Sequence, residues 1–306
     1  MLRLKHWFTG RRLVIAAPFL FLLVFFLFPF LIVGKISVSE MEAVTFKDVL
    51  SYQDGVLALQ LKLSNYLFLA EDNLYFQTYL SSVKYAAATT VLCLLIGYPF
   101  AYFMARAKSS VQPALLMLVM LPFWTSFLLR VYAWKGLLSE NGAVADLVIG
   151  TGLDQALLSL GLISAPGKLM NTPFSLVLGM TYTYLPFMIL PLYANLAKMD
   201  LRLLEAAADL GASPWVAFWK ITVPLSKAGI IAGAMLVFIP CVGEYVIPEL
   251  LGGPETLMIG RVIWDEFFSN NDWPMASTVA VVMILLIIVP LAIFNKYQAE
   301  AQEQRR

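Results

Sequence analysis

Apolar residues in this 306-residue chain gather into long uninterrupted runs, with the polar ones confined to the stretches between them. A helix needs about 20 apolar residues to cross the hydrocarbon core of a bilayer. Runs long enough to approach that requirement occur at about 13–33, 82–104, 113–129, 173–197, 228–250 and 275–294. The pattern predicts an all-α membrane protein of six transmembrane helices. The first run is longer than the roughly 7–15-residue core of a signal peptide, and no small-residue cleavage site follows, so it reads as a span. Lys84 stands near the end of the second run, where its stem reaches back to the headgroups. Gly229-x-x-x-Gly233 in the fifth run is a pattern that lets two helices approach closely.

The segments between runs differ in character. Residues 34–77 are mixed and charged and predict a long loop with short strands or helices of its own. Residues 144–163 are fairly apolar, but Asp146, Asp154 and several glycines make them a poor span, and one or two amphipathic helices fit better. Residues 198–227 read as two short helices joined by a turn. Asp200 is a candidate N-cap for the first, and Arg202 sits three residues before Glu205, within pairing reach on one face. Gly211 supplies a permissive helix C-terminus. Ser213 and Pro214 read as N-cap and first residue of the second helix, which Pro224 ends. Trp215, Phe218, Trp219 and Thr222 fall on one largely aromatic face. Such a pair suits docking into a groove on another protein; the alternative is a helix lying on the bilayer, which the acidic side made by Glu205 and Asp209 disfavours.

The same segment resembles the EAA loop of ABC importer permeases: Glu205, Ala206, Ala207, then Gly211, Ile221 and Pro224 at the family's spacing, with Val223 where Leu is common. Leu121-Pro122-Phe123-Trp124-Thr125-Ser126, Arg130-Val131-Tyr132-Ala133-Trp134, residues 243–253 beginning Gly243-Glu244-Tyr245, and Ile259-Gly260-Arg261 are similar to the putrescine/spermidine branch. The resemblance implies a type I importer permease in which Glu205, Ala206, Ala207, Gly211, Ser213 and Pro214 belong to a coupling helix pair that plugs into an ATPase subunit. It also implies a second permease subunit in a heterodimer, two ATPase subunits that bind ATP and magnesium, a periplasmic substrate-binding protein and a polyamine cargo, with another small solute as the alternative because the branch includes relatives that carry other solutes. No cofactor is expected in this chain.

Composition and charge sharpen this reading. Hydrophobic residues make up 60% of the chain and charged ones 13%, with a mean hydropathy of +0.78, which excludes an ordinary soluble domain. The net charge of +1 says nothing about nucleic acid, and no basic patch of the kind that binds it stands in the sequence, so no nucleic-acid partner is expected. Cys93 and Cys241 lie inside apolar runs and do not suggest a disulfide framework. Basic residues concentrate in the tail at 1–12, at Arg106 and Lys108, in 198–227, and in the tail at 295–306, which predicts both termini in the cytoplasm; the resemblance implies the inner membrane of a bacterium.

Candidate chemistry is sparse. Gly161 to Gly167-Lys168 has the wrong spacing for a P-loop, and Leu169 stands where a hydroxyl must hold magnesium. No hydrolase motif appears, so an enzyme is not expected. Glu244, flanked by apolar residues, is the conspicuous ionisable group. Two readings stand: an ion pair with Arg130, or a negative lining for a cation path. Tyr182, Tyr184, Phe123 and Trp124 are candidates to meet an organic cation through their ring faces, against a simpler role in helix packing. An ion-coupled secondary transporter also places acids at mid-membrane, but leaves the helix pair unexplained.

Overall fold

The computed structural model describes residues 10–42, 45–46, 50–53, 56–59 and 61–303. Arg3, Lys5, His6, Asp54, Arg305 and Arg306 lie outside the described residues. Two compact units divide the chain: residues through Asn73 with Ile263–Ile284, and Leu74–Val262 with the residues from Leu285 onward.

In the first unit, α1 (Gly10–Leu22) continues through a π turn at Leu23–Leu27 into α2 (Phe28–Ser37). The region predicted as a mixed loop forms two antiparallel hairpins, β1 (Met41–Glu42) with β2 (Thr45–Phe46) and β3 (Leu50–Gln53) with β4 (Val56–Leu59), followed by α3 (Ser64–Glu71). Polar bonds tie the end of α2 in place. Ser37 Oγ lies 2.8 Å from the Tyr66 hydroxyl, and Thr278 Oγ1 donates to the Ser37 carbonyl at 3.1 Å.

The second unit is built on α4 (Asn73–Arg106), α5 (Gln112–Met120), α6 (Phe127–Leu138), α7 (Ala143–Gly150), α8 (Leu153–Ser159) and α9 (Pro173–Leu196). After these come α10 (Arg202–Asp209), α11 (Pro214–Ala217), α12 (Val223–Leu225), α13 (Lys227–Val242), α14 (Val246–Leu251) and the first turn of α15 (Ile259–Trp264), while α16 (Trp273–Glu303) belongs to the first unit through Ile284 and to the second from Leu285. The segment judged too polar for a span packs Ala145, Val148, Ile163 and Leu169 into a small core with Leu138. Thr172 and Ser175 cap α9 reciprocally: the Ser175 hydroxyl accepts the Thr172 N–H at 3.2 Å, and Ser175 N–H donates back to Thr172 Oγ1 at 3.4 Å.

Four helices are long and apolar enough to cross a membrane, and two bent pairs raise the number to six if each pair is one span. The third and fifth runs are therefore not straight rods. A 3₁₀ turn (Leu121–Trp124) follows α5, and the chain then turns by 87° into α6. The fifth run stops at Val242 and restarts at Val246. Its first half packs on α9 through the two glycines read from the sequence. A Cβ at Gly229 would lie 2.8 Å from Asn195 Cβ, and one at Gly233 would lie 2.7 Å from Met188 Sδ. That approach is open only to residues without a side chain.

Candidate functional site

The EAA segment folds as an elbow. The first helix, α10, ends in a Schellman motif: Gly211, with φ +81°, donates to the Ala208 carbonyl at 2.8 Å, and Ala212 donates to Ala207 at 2.9 Å. Ser213 caps α11 by accepting Val216 N–H at 3.4 Å, with Pro214 at the first position as expected. Two expectations need correction. Asp200 is not the N-cap residue, which is Leu201; it accepts Arg202 N–H at 3.0 Å and chelates the Arg202 guanidinium, so Arg202 pairs backward with Asp200 rather than forward with Glu205. That guanidinium holds the Asp200 carboxyl below its ordinary pKa. The second helix passes through a π turn at Phe218–Thr222 and stops at Leu225, next to Pro224, as that proline implies.

Burial divides the elbow into two sides. Ala207, Ala217 and Thr222 are buried, while Glu205, Ala206, Gly211, Ser213 and Pro214 are exposed. Leu210 is 89% exposed and Trp215 70%. So large an apolar display on a turn between spans is characteristic of a docking surface. The inward side is held by Phe218, whose ring meets Tyr98 edge-on at 5.6 Å and Tyr102 at 6.0 Å. The Tyr98 and Ser226 hydroxyls are 2.8 Å apart; because Ser226 donates to the Val223 carbonyl at 3.0 Å, Tyr98 is the donor of that pair. Beside the elbow, Asn195, Lys198, Asp200, Leu203 and Gly229 line a cleft of about 540 Å³.

The second site is the break between α13 and α14, and Glu244 lies in it rather than inside a span. Its Oε1 accepts the N–H groups of Tyr245 at 3.2 Å and Val246 at 3.1 Å, and its Oε2 accepts the Tyr184 hydroxyl. These donors are the backbone groups that a helix start leaves unpaired, which is how a carboxylate is accommodated among apolar neighbours. Among the described residues the ion pairs include Lys62–Glu40, Arg202–Asp200 and Arg261–Glu249, with none between Glu244 and Arg130, and Arg130 Nε is buried without a hydrogen-bond partner. Glu244 turns instead to donors within two residues of itself and to a hydroxyl on α9.

Of the candidate path residues, only Tyr184 and Glu244 are brought together. Phe187 leans on Tyr184 at 6.1 Å and meets Phe123 edge-on at 5.1 Å, extending the cluster. Tyr182, two residues from Tyr184 and so on the opposite face of α9, packs on Trp134 at 5.4 Å. Trp124 is exposed. Sequence reasoning missed Phe187, Tyr98 and Ser226; the helical spacing of Tyr184 and Phe187 was the one available signal.

Comparison with known proteins gives a consistent picture. The family described as "Binding-protein-dependent transport system inner membrane component" matches residues 94–302. The chain is 37% identical to the spermidine/putrescine transport system permease protein PotB of Haemophilus influenzae, over 97% of this chain and 96% of that one. It is 42% identical to PotB of Escherichia coli over 74% of this chain and 80% of the relative. Among solved structures, a bacterial ABC transporter involved in the import of the acidic polysaccharide alginate superposes with a TM-score of 0.61 over 94% of this chain and 95% of that one, at 17% identity. At that identity the likeness speaks for the fold.

Proposed function

The chain belongs to the binding-protein-dependent transport system inner membrane components, and from that premise we propose that it is the permease subunit of an ATP-driven importer moving spermidine or putrescine across the inner membrane. Relatives named for that transport system, matched over most of both chains, support the polyamine assignment. The observation that carries the ATP-driven part is the exposed apolar elbow between α9 and α13. Leu210 and Trp215 fill a cleft on an ATPase subunit, with Glu205 and Asp209 beside them. ATP and magnesium are bound by two such subunits. A second, related permease completes the pathway, a periplasmic binding protein delivers the cargo, and both termini of this chain are cytoplasmic.

In this reading the polyamine's ammonium groups pass the ring faces of Phe123, Phe187 and Tyr184. They meet the Glu244 carboxylate, which accepts three hydrogen bonds and has room for about one more. Trp124, Tyr182 and Arg130 flank the path without touching Glu244. Reconstitution with the cognate subunits and binding protein tests the proposal. ATP-dependent uptake of labelled spermidine or putrescine is expected, as is loss of ATPase co-purification in Trp215→Asp. Uptake of an unrelated solute with neither polyamine overturns the cargo assignment. Uptake without captured ATPase subunits overturns the ATP-driven reading.

A further inference from the structure

Two hydroxyls on α4, sixteen residues apart, each bind a different element of the fold. At the inner position Tyr98, buried, donates to Ser226 at the root of the elbow and presses its ring edge-on against Phe218. At the other, Ser82, fully buried, accepts the N–H of Ile259 at 2.7 Å, satisfying the first backbone donor of α15. The helix between them is unbroken, and at 1.5 Å per residue the two attachment points are about 24 Å apart. The start of α15 in turn lies directly on the break that holds Glu244. A Cβ at Gly260 would run into the carbonyl oxygens of Gly243 and Glu244, so these two backbones are in contact without intervening side chains.

We propose that α4 is a connecting rod, in which Tyr98 grips the coupling elbow and Ser82 grips α15, so that displacement of the elbow is delivered to the backbone around Glu244. This assignment rests on the ATP-driven reading above. Tyr98, Ser226 and Ser82 are positioning residues, which touch neither cargo nor nucleotide. A rod is suited to this task because α4 from Ser82 to Tyr98 is continuous helix, lacking only the rung to the Leu95 carbonyl that Pro99 cannot supply, whereas the segment joining the elbow directly to Glu244 is bent by 64° and then broken. Both grips are buried, so neither bond is readily exchanged for one to water.

The test uses the full complex in proteoliposomes, with ATP hydrolysis and labelled spermidine uptake measured on the same preparation. Tyr98→Phe, Ser226→Ala and Ser82→Ala should each keep ATPase subunits bound and hydrolysing, while uptake per ATP falls. Residues along coupled networks shift coupling by enough to change that ratio roughly two- to thirtyfold. Grips in series make a further demand: Tyr98→Phe combined with Ser82→Ala should lose no more than the worse single variant, because a rod released at one end transmits nothing. Independent, multiplicative losses identify two separate structural bonds and overturn the rod. Wild-type uptake per ATP in Tyr98→Phe and Ser226→Ala also overturns it. Tyr98→Leu, which removes the ring contact as well, should lie below Tyr98→Phe; if it is lost from the membrane, the milder variants decide. A wild-type complex that captures no ATPase subunits refutes the premise instead, and the two failures are thereby distinguishable.

Discussion

Removing the Tyr184 hydroxyl isolates one bond of the Glu244 site. Tyr184→Phe deletes the side-chain donor to Oε2 and leaves the two backbone donors on Oε1 in place. A hydrogen bond to a charged group contributes roughly 1.5–3 kcal/mol. Glu244 is only half-buried, so the lower end, about 1.5–2 kcal/mol, applies. That is a change of roughly ten- to thirtyfold in the folded-to-unfolded ratio. Glu244→Gln keeps a carbonyl oxygen for Tyr245 and Val246, but neutral acceptors form bonds about half as strong, for a loss of roughly 2–3 kcal/mol over three bonds. The two changes share one bond, so the double variant should fall short of their sum by about 1 kcal/mol. Arg130 shares no partner with Glu244, and Arg130→Gln should add to Glu244→Gln within about 0.5 kcal/mol. Equilibrium unfolding in mixed micelles, followed by tryptophan fluorescence, measures the five variants against the wild type. Strict additivity of the Tyr184 and Glu244 changes, or rescue of Glu244→Gln by Arg130→Gln, would refute this arrangement and restore the ion pair.

Two glycines give further checks. A Cβ at Gly211 meets nothing within 4 Å, so substitution there costs only backbone strain at φ +81°, about 1–2 kcal/mol for an L side chain; Gly211→Asn should keep uptake and Gly211→Val should lose most of it with folded protein still in the membrane, and equal uptake by the two would count against the left-handed turn. Gly233→Val should lower membrane abundance, because its Cβ falls on Met188 and overpacking costs roughly 1–3 kcal/mol. The matched control Gly136→Ala, which meets nothing, should leave abundance unchanged.

Features written in local pattern were legible before any coordinates. Gly211, Ser213 and Pro214 take the turn and cap roles their chemistry suggests, and Gly229 and Gly233 pack against α9 as their spacing implies. Continuity of the helices was not legible. Gly243-Glu244-Tyr245 and Thr125-Ser126 sit in runs apolar enough that a span-length window stays hydrophobic across them, and hydropathy is blind to whether a run is one helix or two. Nor were the partners of the site residues. Tyr184 reaches Glu244 across 60 positions and Tyr98 reaches Ser226 across 128, and neither tyrosine differs in pattern from its neighbours. Arg202 chose Asp200 over Glu205 because exposed ion pairs differ little in energy.

The left-handed turn at Gly211 has a consequence for affinity. No neighbour constrains a side chain there, and the angle between α10 and α11 is set locally by two backbone bonds and one hydroxyl cap. A surface that receives Leu210 and Trp215 thus meets a shape that already exists, and the ordering entropy that weakens loop-mediated association is largely absent. Tightness of docking and stability of the membrane body become separable quantities. A variant at Leu210 or Trp215, which stand exposed on the outward side of the elbow, can loosen one without disturbing the other.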